Sequence, residues 1–199
     1  GYLGTLDERQ TKKLHSIIGK AKGLLDTTKE YLDLARIEGG QLKLKSKVGL
    51  SLASEVIKPV LESLTPQIEE KKAKISLATE LEGITLRGDP ELLKTLFLNL
   101  IGNAVKYGKG GGKIRIEARP KESAVVISVW NEGMGFPPSE RGKLFKRFSR
   151  LSLPEHKGIK GTGVGLYIAW QIAHVHGGRL WARSEYGSWA EFLVELPLG

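Results

Sequence analysis

Two amides and an ammonium recur at helical spacing near the middle of the chain. Asn99, Asn103 and Lys106 stand at positions i, i+4 and i+7, so a helix places all three on one face. Amide oxygens suit Mg²⁺, which prefers oxygen ligands, and an ammonium suits phosphate. The alternative is that the amides bond to nearby backbone, because buried amides destabilise a fold unless they are satisfied. The pattern therefore indicates a metal-phosphate site or local capping.

Glycines mark two further segments. Residues 131–136, NEGMGF, follow a predicted strand, and glycines two apart let a backbone turn sharply and approach a ligand, although such turns also occur without one. Residues 161–166, GTGVGL, open a predicted helix, whose free N–H groups make an anion site. A Rossmann motif is excluded because no parallel βαβ unit surrounds these glycines, and a P-loop because no Lys-Ser/Thr pair follows them.

The fourth segment combines aromatic and basic residues. Phe145 and Phe148 are interleaved with the cations Lys143, Lys146, Arg147 and Arg150. The pattern is typical of nucleic-acid binding, or of a loop with a hydrophobic anchor whose cations meet phosphate. The net charge of +9, from 31 Lys and Arg against 22 Asp and Glu, suits either anion. The chain has no cysteine, which excludes disulfides, thiolate nucleophiles and cysteine zinc sites.

The elements that must position these segments alternate from about residue 41 onward. Hydrophobic periodicity predicts strands at 42–48, 74–79, 85–87, 113–119, 124–130, 179–184 and 189–196, and helices at 51–72, 89–107 and 163–176. Asp89-Pro90 is a helix start, with Asp as the cap. His174 and His176 fall at a helix end, where a histidine favours the dipole. The order predicts an α+β fold with one sheet covered by helices on one face.

A long helix is predicted from about Thr5 to Glu38, opened by a Thr5–Glu8 capping box and stopped by Gly39 and Gly40. Its apolar or small residues alternate at spacings of four and three, which is a heptad seam: Leu14, Ile18, Ala21, Leu25, Thr28, Leu32 and Ala35. A single helix cannot bury such a seam against itself. We expect it to pair with a helix of another molecule; the alternative is packing on its own domain.

Together, the order and spacing of the four segments resemble the catalytic and ATP-binding domain of sensor histidine kinases, in the superfamily shared with gyrase, Hsp90 and MutL. Residues 99–107 look like the N box, 131–136 the G1 box, 145–148 the F box and 161–166 the G2 box. The resemblance covers essentially the whole chain. It implies a Bergerat-type α/β sandwich, with a mixed, largely antiparallel sheet, in residues 41–199. Residues 1–40 resemble the second helix of the dimerisation hairpin and its linker.

The resemblance also implies roles by position. Asn103 would coordinate Mg²⁺ with Asn99 beside it, and Lys106 would contact phosphate. Tyr107 would pack on adenine and Asn131 would bind the adenine amino group. The remaining nucleotide-binding residues implied are Gly133 and Gly135 in the wall around the base, Arg150 at the γ-phosphate, and Gly161, Gly163, Val164, Gly165 and Leu166 at the phosphates. Residues 137–160 would form the ATP lid.

The implied activity is transfer of the γ-phosphoryl group of Mg-ATP to a histidine of the hairpin, then relay to an aspartate of a response regulator. The implied state is a homodimer through the hairpin, with the catalytic part in the cytoplasm, whether or not the full-length kinase is membrane-anchored. No nucleic-acid partner is expected, because a lid closing on ATP accounts for much of the basic charge.

Three departures from the family pattern matter. No histidine here is followed by an acidic residue; His15 precedes Ser16, so this chain is expected to bind nucleotide without phosphorylating itself. Asn131 replaces the usual Asp of the G1 box, which weakens a charge-assisted bond to adenine. Ala190 stands where a Thr or Ser is usual, unless Ser188 replaces it. The alternative function is therefore a degenerate nucleotide-binding switch or scaffold with weak or relaxed ATP binding.

Overall fold

The computed structural model describes residues 4, 6–39, 44–151, 153 and 161–198. The chain divides into two compact units, Gly1–Leu42 and Lys43–Gly199. Within the described residues, no helix is both long enough and apolar enough to cross a membrane.

Among its described residues, the first unit contains one helix, α1, at Glu8–Glu38. Asp7 and Gln10 form a reciprocal pair at its start: the Asp7 N–H donates to Gln10 Oε1 at 3.0 Å, and the Gln10 N–H donates to Asp7 Oδ1 at 2.7 Å. The predicted start at Thr5 is therefore wrong by one turn, since the pair that satisfies the free N–H groups lies later. Thr5 itself lies outside the described residues.

The apolar stripe of α1 is exposed within this unit. Leu14, Ile18, Leu25 and Leu32 of the heptad seam are all exposed, Leu25 by 70%. A second row one position away is exposed as well, formed by Ile17, Leu24 and Tyr31. The stripe is thus wider than a two-stranded seam requires. Its pairing with another molecule stays a prediction.

The described residues of the second unit form seven strands: β1 Lys47–Ser51, β2 Lys74–Leu77, β3 Thr85–Gly88, β4 Lys113–Pro120, β5 Ala124–Glu132, β6 Arg179–Glu185 and β7 Trp189–Pro197. Five of them form a mixed sheet in the order β2-β4-β5-β7-β6, in which only the β2–β4 pairing is parallel. The other two, β1 and β3, pair antiparallel as a separate sheet. The predicted mixed, largely antiparallel sheet is confirmed. The small β1–β3 sheet is an addition to the single sheet that was predicted, because periodicity identifies strands but not their partners.

In the described part of this unit, three helices accompany the strands: α2 Lys58–Lys71, α3 Pro90–Tyr107 and α4 Gly165–Val175. A π-helical turn, Leu52–Ile57, precedes α2 and occupies the start of the predicted 51–72 helix. Pro59 lies in the first turn of α2, where a missing N–H costs nothing, and Pro66 lies inside it. Short 3₁₀ turns at Thr79–Gly83 and Pro138–Lys143 complete the unit.

The core is built between α3, α4 and the inner face of the large sheet. Helix α3 contributes the apolar residues Leu93, Leu96, Phe97, Leu100, Ile101, Ala104 and Val105, all buried. From the sheet, Ile116, Ile127, Val129 and Val194 are fully buried. Because this stripe of α3 faces the core, Asn99, Asn103 and Lys106 remain half-buried beside it. The polar stripe is therefore held at the border of the core.

Candidate functional site

Helix α3 positions the predicted polar stripe, and its two amides behave differently. Asn99 Nδ2 donates to the Thr95 carbonyl at 2.9 Å, so this amide does bond to local backbone. Its Oδ1 faces the start of α4, where a Cβ on Gly165 would lie only 2.3 Å away. The side chain of Asn103 makes no hydrogen bond to any described residue. Local capping thus occupies the Nδ2 group of the Asn99 amide and neither polar group of the Asn103 amide.

The end of α3 meets the end of β5 through two glycines. Gly108 and Gly133 form a bridge, and a Cβ on Gly133 would lie 2.9 Å from the Tyr107 carbonyl oxygen. Asn131 is 3% exposed, and its Nδ2 donates to the Glu132 carbonyl at 3.3 Å. No donor among the described residues reaches its Oδ1, which is nevertheless not sealed from solvent. Asn131 therefore offers a free acceptor from a buried position.

The turn after β5 fits only glycine at residue 135. Gly135 has φ +63, and a Cβ there would lie 2.3 Å from Ser184 Oγ and 2.5 Å from the Trp189 carbonyl oxygen. Ser184 ties the turn together, since its hydroxyl accepts from the Phe136 N–H at 2.8 Å and donates to the Trp189 carbonyl at 2.7 Å. Its role depends on pairing between β6 and β7, and no spacing signal in the sequence indicated it.

Ala190 lies between Asn131 on β5 and Ser184 on β6, as the Cα partner of both. The hydroxyl of this row is that of Ser184, and both of its hydrogen bonds are made to protein backbone. Ser188 lies in the exposed turn before β7 and supplies a backbone carbonyl to the Gly133 N–H at 3.0 Å. The suggestion that Ser188 replaces the missing hydroxyl is not supported by this placement.

At each of the three glycines in residues 161–165, the missing side chain lets a different part of the protein approach the backbone closely. A Cβ on Gly161 would lie 2.7 Å from Lys106 Nζ. Gly163 has φ +77, and a Cβ there would lie 2.7 Å from the Ser149 carbonyl oxygen. At Gly165, the space that a Cβ would fill is occupied by the amide oxygen of Asn99. The segment thus lies between α3 and the backbone of the predicted lid.

Between these glycines, Val164 contributes to the core. Its side chain is 1% exposed, and its N–H donates to Thr162 Oγ1 at 3.3 Å. Leu166 lies in the first turn of α4 and is half-buried.

The start of the predicted lid is anchored by a leucine. Leu144 is 6% exposed, whereas Phe148 is 55% exposed and Phe145 is half-buried. The expectation that both phenylalanines form the anchor is therefore wrong for Phe148, whose backbone has φ +55 at the point where it passes Gly163. Residues 152 and 154–160 lie outside the described residues, and with them the lid cations Lys157 and Lys160.

Cations and a phenol converge at the end of α3. Lys106 Nζ lies 5.2 Å from the centroid of the Tyr107 ring, and a Cβ on Gly161 would lie 3.8 Å from the Tyr107 hydroxyl. Burial raises the pKa of the Tyr107 phenol, and the nearby positive charge of Arg150 opposes that rise. The sequence-predicted Lys106, Tyr107, Arg150 and Gly161 are thus brought together, and the arrangement suits an anion.

The residues present also fit a magnesium ion held through a bound anion. Among the described residues, no group of three or more His, Asp or Glu side chains forms a metal site on its own. The half-buried amide of Asn103, without a bond to the described protein, supplies one oxygen of the kind that Mg²⁺ accepts. Mg²⁺ commonly takes its other ligands from water and phosphate.

Comparison with known proteins agrees with this geometry. Residues 88–199, which contain all four segments, match the family described as histidine kinase-, DNA gyrase B-, and HSP90-like ATPase. The circadian input-output histidine kinase CikA of Synechococcus elongatus is 29% identical over 98% of this chain and 26% of its own length. The chain thus spans only about a quarter of that relative.

Two solved structures share the fold. Full-length ShkA in complex with AMPPNP has a TM-score of 0.80 and 26% identity, over 98% of this chain and 40% of that one. Histidine kinase ThkA in complex with the response regulator TrrA has a TM-score of 0.71 and 24% identity, over 98% of this chain and 53% of that one. The chain therefore belongs to the histidine kinase-, DNA gyrase B-, and HSP90-like ATPase family, with an ATP-binding domain of the histidine kinase type.

Proposed function

We propose that this chain is the catalytic core of a sensor histidine kinase. It binds Mg-ATP and transfers the γ-phosphoryl group to a histidine on a dimerisation hairpin, for relay to an aspartate of a response regulator. The observation that carries the proposal is the convergence of Lys106, Arg150 and Tyr107 around Gly161, one helical turn from the unbonded amide of Asn103. The ATP-binding family that matches this region supports the same ligand.

The phosphate end acts by positioning and charge neutralisation. Lys106 and Arg150 neutralise phosphate charge, and the backbone of residues 161–166 presents N–H groups at the start of α4. Asn103 would hold magnesium through its amide oxygen, and the metal would supply positive charge that offsets the charge developing during transfer.

The base end reads adenine through a neutral acceptor. The bond from Asn131 Nδ2 to the Glu132 carbonyl leaves Oδ1 available for the amino group of adenine. A carbonyl group at the same place, as in guanine, would face Oδ1 without a proton between the two oxygens. Because a neutral acceptor binds more weakly than a carboxylate, the affinity is lower than that of relatives with Asp, while the preference for adenine is kept.

Transfer to a protein histidine is favoured over hydrolysis of ATP. Asn99 occupies the position beside the metal ligand, and an amide cannot act as a general base toward water. The acceptor is a histidine other than those of this sequence, since none of them, His15 included, precedes an acidic residue. The exposed stripe of α1 joins the helices of a homodimer, and the response regulator is the second partner.

Calorimetry with Mg-ATP and Mg-GTP tests the proposal on the wild type, Asn103→Ala and Lys94→Ala. Lys94 is the matched control because it lies on the same helix and pairs on the surface with Glu91. We expect Asn103→Ala to weaken Mg-ATP binding by about tenfold or more, the equivalent of one lost ionic ligand or strong polar contact. Lys94→Ala should bind as the wild type does. An Mg-ATP affinity that is the same in Asn103→Ala and the wild type would contradict the proposal.

A second candidate is the degenerate switch or scaffold, which the missing hydroxyl at Ala190 and the neutral amide of Asn131 favour. The two functions differ in base preference and in catalysis. A full-length kinase that binds ATP and GTP alike and labels no histidine with phosphate would establish the scaffold.

A further inference from the structure

A buried histidine at the end of α4 uses both of its ring nitrogens. His176 is 8% exposed; its Nδ1 lies 2.8 Å from the Ile172 carbonyl oxygen, and its Nε2 accepts a hydrogen bond from the Asp89 N–H at 3.0 Å. A carbonyl needs a donor and an N–H needs an acceptor, so the ring is neutral with its proton on Nδ1. This arrangement is more specific than a dipole interaction at a helix end, which the sequence predicted.

Asp89, the partner of His176, fixes the start of α3. Its Oδ1 accepts from the N–H groups of Glu91 and Leu92, at 3.0 and 3.2 Å, and so caps the helix. Its Oδ2 accepts from the Lys45 N–H at 2.9 Å. Asp89 is 6% exposed, so a buried cluster joins the end of α4 to the first residue before α3.

Helices α3 and α4 therefore contact each other at two places. The end of α4 contacts the start of α3 through His176 and Asp89, while the start of α4 contacts the middle of α3 through Gly165 and Asn99. The helices are therefore antiparallel. The ten residues from Asp89 to Asn99 and the eleven from Gly165 to His176 span about 15 and 16.5 Å at helical rise, so the distance between the two contacts matches on the two helices.

The contact in the site makes the placement of Asn99 sensitive to a slip of α4 along the helix axes. Asn99 Oδ1 would be 2.3 Å from a Cβ on Gly165, so the amide already lies against the backbone of α4. A displacement of α4 along its axis would move that backbone into the amide or away from it. The register of α4 against α3, which the His176–Asp89 bond sets, therefore decides where Asn99 lies relative to Gly165.

We propose that His176 is a positioning residue of the nucleotide site. Its bond to Asp89 sets the register of α4 against α3, and through that register the placement of Asn99 beside Gly165. The inference rests on the proposed function, because it assigns the register a purpose in nucleotide binding.

Two substitutions separate the two ring nitrogens. In His176→Gln, the amide oxygen can take the place of Nε2 and accept from the Asp89 N–H. In His176→Asn, the amide nitrogen can take the place of Nδ1, and the Asp89 N–H is left without an acceptor. His174→Gln is the matched control, since His174 is exposed two residues earlier on the same helix.

We expect His176→Gln to bind Mg-AMPPNP within about threefold of the wild type and His176→Asn to bind about tenfold more weakly, as for loss of one buried hydrogen bond. The NMR signals of the Asn99 side-chain amide and the Gly165 N–H should shift in the Asn variant but not in the Gln variant or the control. Equal affinity and unshifted signals in both His176 variants would overturn the proposal.

Nitrogen-15 spectra of the imidazole ring in the nucleotide-free wild type give a test that does not depend on binding. A proton on Nδ1 and none on Nε2 supports the inference, and a proton on Nε2 overturns it.

If the wild type binds no nucleotide, the proposed function fails, while the tautomer and the Asn99 signal still decide the register. If His176→Asn does not fold, a tenfold loss of affinity in His176→Gln overturns the proposal and retention of affinity supports it.

Discussion

The two ends of the site differ in what surrounds their glycines. At the base end, a Cβ on Gly135 would meet two backbone carbonyls and the Ser184 hydroxyl, whose bonds close the turn. At the phosphate end, a Cβ on Gly161 or Gly165 would meet the tips of Lys106 and Asn99. Backbone cannot yield without disturbing the sheet, whereas a side-chain tip can swing aside. The base end is therefore built for a fixed shape, and the phosphate end for charges that adjust to a ligand.

Glycine substitution at the base end should have the largest effect. We expect Gly135→Ala to lower the free energy of unfolding by about 3 kcal/mol, because a positive φ costs about 1–2 kcal/mol and the displaced backbone adds to it. Urea unfolding measures the loss. Gly187→Ala is the control, with φ +89 but no heavy atom within 4 Å of the added Cβ. If both variants lost the same free energy of unfolding, the positive φ alone would explain the loss, and the contacts around Gly135 would add nothing.

The amide at the base end offers the next test. Asn131→Asp replaces a donor to the Glu132 carbonyl with an acceptor, so we expect a loss of about 1–2 kcal/mol in the free energy of unfolding, as for a broken buried hydrogen bond. The charge should strengthen the bond to adenine and raise the ratio of ATP to GTP affinity. Urea unfolding and calorimetry measure the two effects. A variant more stable than the wild type would show that the Nδ2 bond does not fix the amide.

At the phosphate end, Gly165→Ala should affect binding more than stability. Its Cβ displaces the amide oxygen of Asn99. The helix itself gains from alanine, so we expect a net change in the free energy of unfolding below about 1 kcal/mol. Mg-ATP affinity should fall severalfold. A double-mutant cycle with Asn99→Ala checks the cause, because the two effects should be strongly non-additive if they act through one contact.

Gly161→Ala should have the smallest effect on stability. The added Cβ meets the end of the flexible Lys106 side chain, which can rotate away. We expect a change in the free energy of unfolding within about 0.5 kcal/mol, as for an ordinary surface substitution. Mg-ATP affinity reports whether the displaced ammonium still reaches phosphate. A loss of stability as large as that of Gly135→Ala would contradict the contrast between the two ends.

Local patterns predicted most of the elements because their signals are carried by neighbouring residues. Asp89 followed by Pro90 indicated the start of α3, and the carboxylate does cap that helix. The predicted strands at 113–119 and 124–130 are β4 and β5, with one or two further residues each. Prediction failed at the start of α1, where the observed capping pair, Asp7 and Gln10, lies two residues after the predicted pair of Thr5 and Glu8.

The candidate site was found from the sequence as a set of segments, because their residue types suit one ligand. What each residue contacts was not available there. Ser184 closes the turn at Gly135 from β6, two strands away from β5 in the sheet, and Leu144 anchors the lid start in place of Phe148. Both depend on which side chains point inward once distant strands have paired.

The sequence by itself determined most of the helices and strands, the cap of α3 and the order of the four chemical segments, since periodicity and capping act over a few residues. Only the tertiary structure decided that β1 pairs with β3, that Gly165 admits Asn99, and that His176 meets Asp89 across 87 positions of the chain. The physical reason is that these contacts depend on which surfaces remain unburied after the elements have formed.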